Sequence, residues 1–410
     1  MLFAIVGYNR EGFWVQNSWG ENGVALWLYE DWQENLVDAW VISLALPTPQ
    51  VWYGSDVLSA RVLGDGVGNC KKPLRGQIAG HFVHIDDGKF HDAGRYWSNL
   101  TDVKATVEKI TESDSYDHLL LYAHGGLNSP ADSACRIFAM REVFKENRIY
   151  PFHFMYDTGI LEEIKDVIIS RGKRVGERTT GFTDLWDKLL ERLSCPVGKA
   201  LWREMKYGAS KGFDKSFAGM ETMEAFKVVI SGEKKLKVHL VGHSTGGILM
   251  ASLLRCLEQL SPNLRIETCS LMAPASTIEL FNSHYRPYLL SKNSEFGINK
   301  MTIYNLADRL EQDDSVGPYR KSLLYFVSRS FEEDTPAPIL GMEIHSNKVL
   351  QQSHPNLDFI YSHGDKDVEP GTLSKTHGGF DNDPATLNDI LKHVLEKDPG
   401  RLFKESDLNY

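Results

Sequence analysis

Gly242-His243-Ser244-Thr245-Gly246 places a serine between two glycines, each two residues away. This G-x-S-x-G spacing carries chemistry when an apolar strand enters it and a helix leaves it. The sharp turn between them then lifts the hydroxyl clear of the sheet, and small neighbours are needed to avoid collision. Residues 237–241 read as such a strand, and an apolar helix starts near Gly247. The helix N-terminus would set free N–H groups and positive dipole where negative charge develops. The chemistry implied is attack by Ser244 on a carbonyl, through an acyl-serine.

A nucleophilic serine needs a base, and the base needs an orienter. In this frame the acid and then the histidine follow the serine along the chain. Asp308 stands just beyond a strand at 300–306 and is the expected acid; Asp313 and Asp314 are the alternatives, with Glu311 a weaker one. His377 lies in a loop beyond the last strand, 357–361, and is followed by Gly378 and Gly379. It is the expected base, ahead of His363. Upstream, the strand 118–123 runs into His124-Gly125-Gly126-Leu127-Asn128. Glycines there let the backbone approach a substrate, so the N–H groups of Gly126 and Thr245 are the expected oxyanion donors.

Other chemistries find no support. His81, His84, Asp86, Asp87, His91 and Asp92 cluster in sequence. However, His81 and His84 sit three apart on a strand and so point to opposite faces, and no H-E-x-x-H spacing occurs. Phosphate-binding and dinucleotide-binding glycine motifs are also missing, so neither metal nor cofactor is expected.

The elements that must position these residues alternate. Short apolar strands are expected at 81–85, 118–123, 150–156, 237–242, 267–273, 300–306 and 357–361. Helices are expected at 98–111, 131–146, 247–260, 278–290, 319–331 and 384–397. This alternation is the signature of a mostly parallel sheet covered on both faces, an α/β fold. Residues 160–232 interrupt it with a long helical stretch rich in Lys and Arg, read as an insertion that covers the site as a lid, or else as a buttress away from it. Residues 1–46 form a block rich in Trp, and 47–78 read as a linker carrying Pro47, Pro49, Pro73 and many glycines. Residues 398–410 read as a tail.

The 410 residues are enough for a full core, and 42% apolar with 24% charged residues is ordinary globular usage. The charge sum, 45 − 55 = −10, argues against nucleic-acid partners. The five cysteines are dispersed with no C-x-x-C, which argues against a disulfide framework and for a reducing, cytoplasmic setting. The apolar start is too short for a signal h-region. The uncharged run 238–254 contains His239, His243 and Ser244 and does not read as a membrane span.

Residues 79–397 resemble bacterial α/β-hydrolases of poorly characterised type. The likeness rests on LLLYAHGGLNS (119–129), HLVGHSTGGILMASLL (239–254), LMAPAST (271–277), YRKSLLYFVSRSFE (319–332) and THGGFDND (376–383). It implies a serine hydrolase with Ser244, His377 and a downstream acid; a small-molecule ester, thioester or other acyl substrate is expected by analogy of that constellation, and the sequence offers no transmembrane segment. It leaves the particular substrate and the oligomeric state open. The first block resembles the C-terminal strands of a papain-like cysteine peptidase. Asn17, in Asn17-Ser18-Trp19-Gly20, matches the asparagine that orients the histidine in that family. The matching histidine and the nucleophilic cysteine are absent from this chain, so a remnant without peptidase activity is expected. The alternatives to a working hydrolase are a binding or scaffold protein that keeps the elbow, and a truncated piece of a peptidase–hydrolase fusion.

Overall fold

The computed structural model describes residues 4–16, 24–35, 70, 72–126, 128–156, 183–292, 294–316, 319–350, 354–365, 371–408 and 410. The chain divides into two units, Met1–Tyr53 and Gly54–Tyr410. In the first, β1 (Ala4–Tyr8), β2 (Gly12–Gln16) and β3 (Val24–Leu28) form an antiparallel sheet in that order, followed by a helix over Tyr29–Asn35. Phe13 meets Tyr29 edge-on at 4.9 Å and lies 5.3 Å from Trp32. Asn17 and the rest of its motif lie outside the described residues, as does most of the expected linker.

The second unit is mixed α/β, built on one eight-stranded sheet. Its strands are β4 (Phe82–Asp86), β5 (Lys89–Phe90), β6 (His118–Ala123), β7 (Ile149–Tyr156), β8 (Lys237–His243), β9 (Arg265–Met272), β10 (Gly297–Leu306) and β11 (Leu357–Ser362). The order is β11-β10-β9-β8-β6-β7-β4-β5. All neighbours are parallel except the β4–β5 pair. A parallel strand covered on both faces must be apolar throughout, and every residue of β6, HLLLYA, is buried. Side chains on this strand alternate between two cores. Leu119, Leu121 and Ala123 pack with the helices Leu100–Glu112, Ala218–Ser231 and Gly246–Leu260, while Leu120 and Tyr122 pack with Pro130–Glu146 and Pro384–Leu395.

Three expectations change here. The stretch 160–232 is not one insertion, because its last helix, Ala218–Ser231, buries Met223, Phe226, Val229 and Ile230 in the main core. Before it, the helix Thr183–Lys211 is clamped at the segment after Phe331. Trp202 Nε1 donates to Glu332 Oε1 at 2.7 Å, Lys206 Nζ lies 2.7 Å from Glu332 Oε2, and Arg203 Nη2 lies 2.6 Å from Glu333 Oε1. These contacts tie the C-terminal half of the helix to Glu332 and Glu333. Residues 157–182 lie outside the described residues.

The end of the expected linker belongs to the second unit, since Ile78 is fully buried and Arg75 pairs with Asp102. The expected tail also packs inward: Phe403 and Leu408 are buried, and Tyr410 donates to the carbonyl of Asp381 at 2.8 Å. The third change concerns the cysteines. Cys70 and Cys135 form a disulfide, against the expectation of dispersed thiols, whereas Cys256 and Cys269 are free and buried. A separation of 65 residues leaves no local spacing signal from which to read the pair. No described helix is long and apolar enough to cross a membrane.

Candidate functional site

Strand β8 ends at His243, and Ser244 turns the chain into the helix Gly246–Leu260 with φ +52°. A left-handed conformation at a serine is costly and persists only where the surroundings hold it. They do so here: Ser244 N donates to the Met272 carbonyl at 2.8 Å, and its own carbonyl accepts from Gly247 N and Ala275 N, both at 3.0 Å. The flanking glycines are required by space. A Cβ on Gly246 would stand 2.3 Å from the Ala123 carbonyl oxygen, and one on Gly242 would stand 3.0 Å from Gly246.

His377 opens a 3₁₀ turn, His377–Asn382, and its Nε2 lies 2.9 Å from Ser244 Oγ. Both residues are buried, Ser244 at 3% and His377 at 7% exposure. Burial presses the imidazole down to about 3; His243 acts in the same direction and Asp381 opposes it. The ring is therefore neutral at pH 7, the state a proton acceptor needs. His363 is exposed, and its backbone carbonyl accepts from Arg309 Nη2 at 3.4 Å.

The acid differs from the first expectation. Asp308 begins a short helix, Asp308–Asp313, and its carboxylate accepts from Tyr325 Oη at 2.6 Å and from Gln312 Nε2 at 2.5 Å. Among the described residues, none of its hydrogen bonds reaches His377. Asp313 is exposed. Asp314, one residue past the helix, is the carboxylate that touches the histidine: its Oδ2 accepts the backbone N–H of His377 at 2.8 Å. Burial raises the Asp314 carboxyl, while that bond and the one from Ser315 N pull it back. The imidazole Nδ1 of His377 has no hydrogen-bond partner among the described residues. Glu311 faces away, bonded to Ser322 Oγ.

The glycine loop after β6 lies against the elbow, as the spacing suggested. A Cβ on Gly125 would come within 3.3 Å of Ser244 Cβ, and one on Gly126 within 2.8 Å of Thr245 Oγ1. Asn128 closes the loop by donating Nδ2–H to the Gly125 carbonyl at 2.9 Å. Tyr156 Oη donates to the His124 carbonyl at 2.5 Å and lies 2.8 Å from Thr245 Oγ1. The tyrosine's one proton goes to the carbonyl, so the threonine donates to the tyrosine.

Two residues had no role assigned from sequence. Asp381, four residues after His377, forms an ion pair with Arg136 at 2.7 Å and lies 3.3 Å from His243 Nδ1. Burial alone would raise its carboxyl, but Arg136, then His243 and Tyr122, hold it well below the usual carboxylate range. A signal existed: Arg136 stands on the apolar face of its helix among Ser133, Ile137 and Met140, where an arginine needs a buried partner. The clustered histidines upstream are spent on backbone carbonyls, His81 on Pro151 and His84 on Tyr96. Among the described residues, no three His, Cys, Asp or Glu side chains are disposed to hold a metal ion.

No protein-family model and no curated protein matches the chain. A crystal structure of an uncharacterized protein from Pseudomonas aeruginosa aligns at 10% identity with a TM-score of 0.27, covering 78% of this chain. The alignment spans about half of that neighbour, 52% of its length, and at this TM-score it identifies neither fold family nor activity.

Proposed function

We propose that the second unit is an α/β-hydrolase acting as a serine hydrolase on carboxylic esters or thioesters. The observation that carries this reading is the 2.9 Å contact between Ser244 Oγ, on its left-handed turn, and the neutral His377 Nε2. Ser244 attacks the carbonyl carbon while its proton passes to His377. The Gly126 and Thr245 amides receive the oxyanion. On collapse the carbonyl–heteroatom bond breaks, and His377 returns the proton to the departing alkoxide or thiolate. Water then repeats the sequence on the acyl-serine, releasing the acid and restoring the serine. Asp314 steadies the base through its main chain, because its carboxylate accepts the backbone N–H of His377 while the ring Nδ1 has no hydrogen-bond partner among the described residues.

Ester and thioester substrates are assigned by analogy of the constellation. The Cys70–Cys135 disulfide favours an oxidising setting over the cytoplasmic one that the cysteine pattern suggested. The three-stranded first unit is compatible with a peptidase remnant, for which no activity is proposed.

The test is labelling by a fluorophosphonate probe. Wild type is expected to label covalently, and Ser244→Ala and His377→Ala to abolish labelling with the melting profile retained. A folded wild type that does not label would leave a non-catalytic binding protein as the better reading.

A further inference from the structure

We propose that His243 and Asp381 are positioning residues for the base: a buried chain, Arg136–Asp381–His243, pins the main chain of His377 so that its ring meets Ser244. This assignment rests on the serine-hydrolase reading.

The loop that carries His377 is tied down on both flanks, by Ser374 Oγ donating to the Thr376 carbonyl at 2.9 Å and by the fully buried Phe380. Gly378 and Gly379 follow and offer no side chain for packing. The main chain of His377 is instead held on both sides. Its N–H donates to Asp314 at 2.8 Å, and its C=O lies 2.9 Å from His243 Nε2. A carbonyl can only accept, so His243 Nε2 carries a proton and donates it. The other ring nitrogen, Nδ1, lies 3.3 Å from Asp381 Oδ2 without a hydrogen bond between them, so the carboxylate acts on the ring as a close buried charge. Asp381 is in turn locked by Arg136 Nε at 2.7 Å and by Tyr122 Oη at 3.2 Å.

His243 is also the residue immediately before the nucleophile, so the turn that fixes Ser244 fixes the His243 backbone as well. The bond to His377 thus references the base to the same turn as the serine. A third connection reaches the oxyanion loop: Arg136 Nη2 donates to Asn128 Oδ1 at 3.2 Å, and Asn128 holds the Gly125 carbonyl. One buried guanidinium therefore ties together the base loop and the glycine loop on either side of the elbow.

Packing alone does not account for this. A buried ion pair is weak evidence for stability, because desolvation offsets its attraction. Here the cluster also leaves Asp381 Oδ1 without a hydrogen-bond partner among the described residues. Its geometry is better matched to aiming one donor than to saturating the core. A displacement of the base by about 1 Å costs on the order of a hundredfold in rate, so an anchor on its backbone matters.

The experiment measures the rate of fluorophosphonate labelling for wild type, His243→Gln, His243→Met and Asp381→Asn, each with a thermal melt. Glutamine keeps an N–H donor at similar reach, whereas methionine keeps the length without a donor. The expected result is labelling within about threefold of wild type for H243Q, and slowed by about tenfold or more for H243M and D381N. Equal labelling rates in H243M and H243Q would overturn the assignment, because packing would then be the whole role. If H243M does not fold, D381N decides: slowed labelling at an unchanged melt supports the chain, and unchanged labelling overturns it. A wild type that does not label overturns the hydrolase reading and this assignment together, and so is distinguishable from failure of the variants alone.

Discussion

At the residue scale, three aspartates within seven positions compete for one role, and local geometry separates them. Asp308 and Asp313 lie within a short helix, whereas Asp314 follows it in an extended conformation, φ −70° and ψ 170°. That break in the helix turns Asp314 toward the His377 N–H while Asp308 bonds Tyr325 and Gln312. Asp314→Ala, which removes the acceptor of the His377 N–H, is therefore expected to slow fluorophosphonate labelling by about tenfold to a hundredfold, and Asp308→Ala to leave it within about threefold. The reverse ranking would restore Asp308 as the orienter. Ser244 and His377 were legible as a facing pair because each carries local punctuation, glycines at fixed offsets and the exit of a strand. The contact of Asp314 with His377 was not, because nothing in Ala307-Asp308-Arg309-Leu310-Glu311-Gln312-Asp313-Asp314 marks where that helix starts or stops.

At the element scale, strands were easier to read than helices. Buried parallel strands are nearly continuous apolar runs, and β6 has the expected bounds, 118–123. The helix expected at 278–290 is instead two, Ile278–His284 and Arg286–Leu289. The break falls at Tyr285, before Pro287, which lacks the N–H that a continuous helix would use; the Tyr285 hydroxyl bonds the Gly247 carbonyl. The helix expected at 319–331 is a single α-turn over Leu323–Phe326 followed by a π-turn over Val327–Phe331.

Glu311 on the Asp308–Asp313 helix carries a consequence for stability. It is fully buried, and burial lifts its carboxyl to about 8, against the Ser322 hydrogen bond and with help from Asp314 and Asp308. An unfolded glutamate titrates near about 4.3, so the folded state favours the protonated form. The stabilisation is complete below about pH 4 and is lost as pH rises through about 8. Glu311→Gln removes this dependence. Urea titrations at pH 5 and pH 9 should show the variant gaining on wild type at the higher pH by a few kcal/mol, on the order expected for such a carboxyl. An equal difference at both pH values would refute a buried, proton-binding Glu311.

At the scale of the second unit, the Cys70–Cys135 disulfide joins the segment before β4 to the helix that carries Arg136. Closing a long loop stabilises mainly by restricting the unfolded chain. Reduction, or Cys70→Ser, is expected to lower stability by about 2–4 kcal/mol. Thermal melts with and without reductant check this, and a C70S melt that still shifts on adding reductant would place the effect elsewhere.

The sequence alone determined the alternation of strands and helices, the turn at Ser244, the glycine loop beside it and the loop that brings His377 to Ser244. Each is encoded in a window of a few residues, where apolar period and glycine placement act directly on the backbone. Tertiary structure alone decided which aspartate touches His377, that Cys70 meets Cys135, and that Arg136, Asp381 and His243 form one buried chain. Those pairings join residues 63, 65 and more than 100 positions apart. Partner choice at that range is set by how the parallel sheet stacks its connections. Burial then makes each buried charge find whichever opposite group the stacking brings within reach.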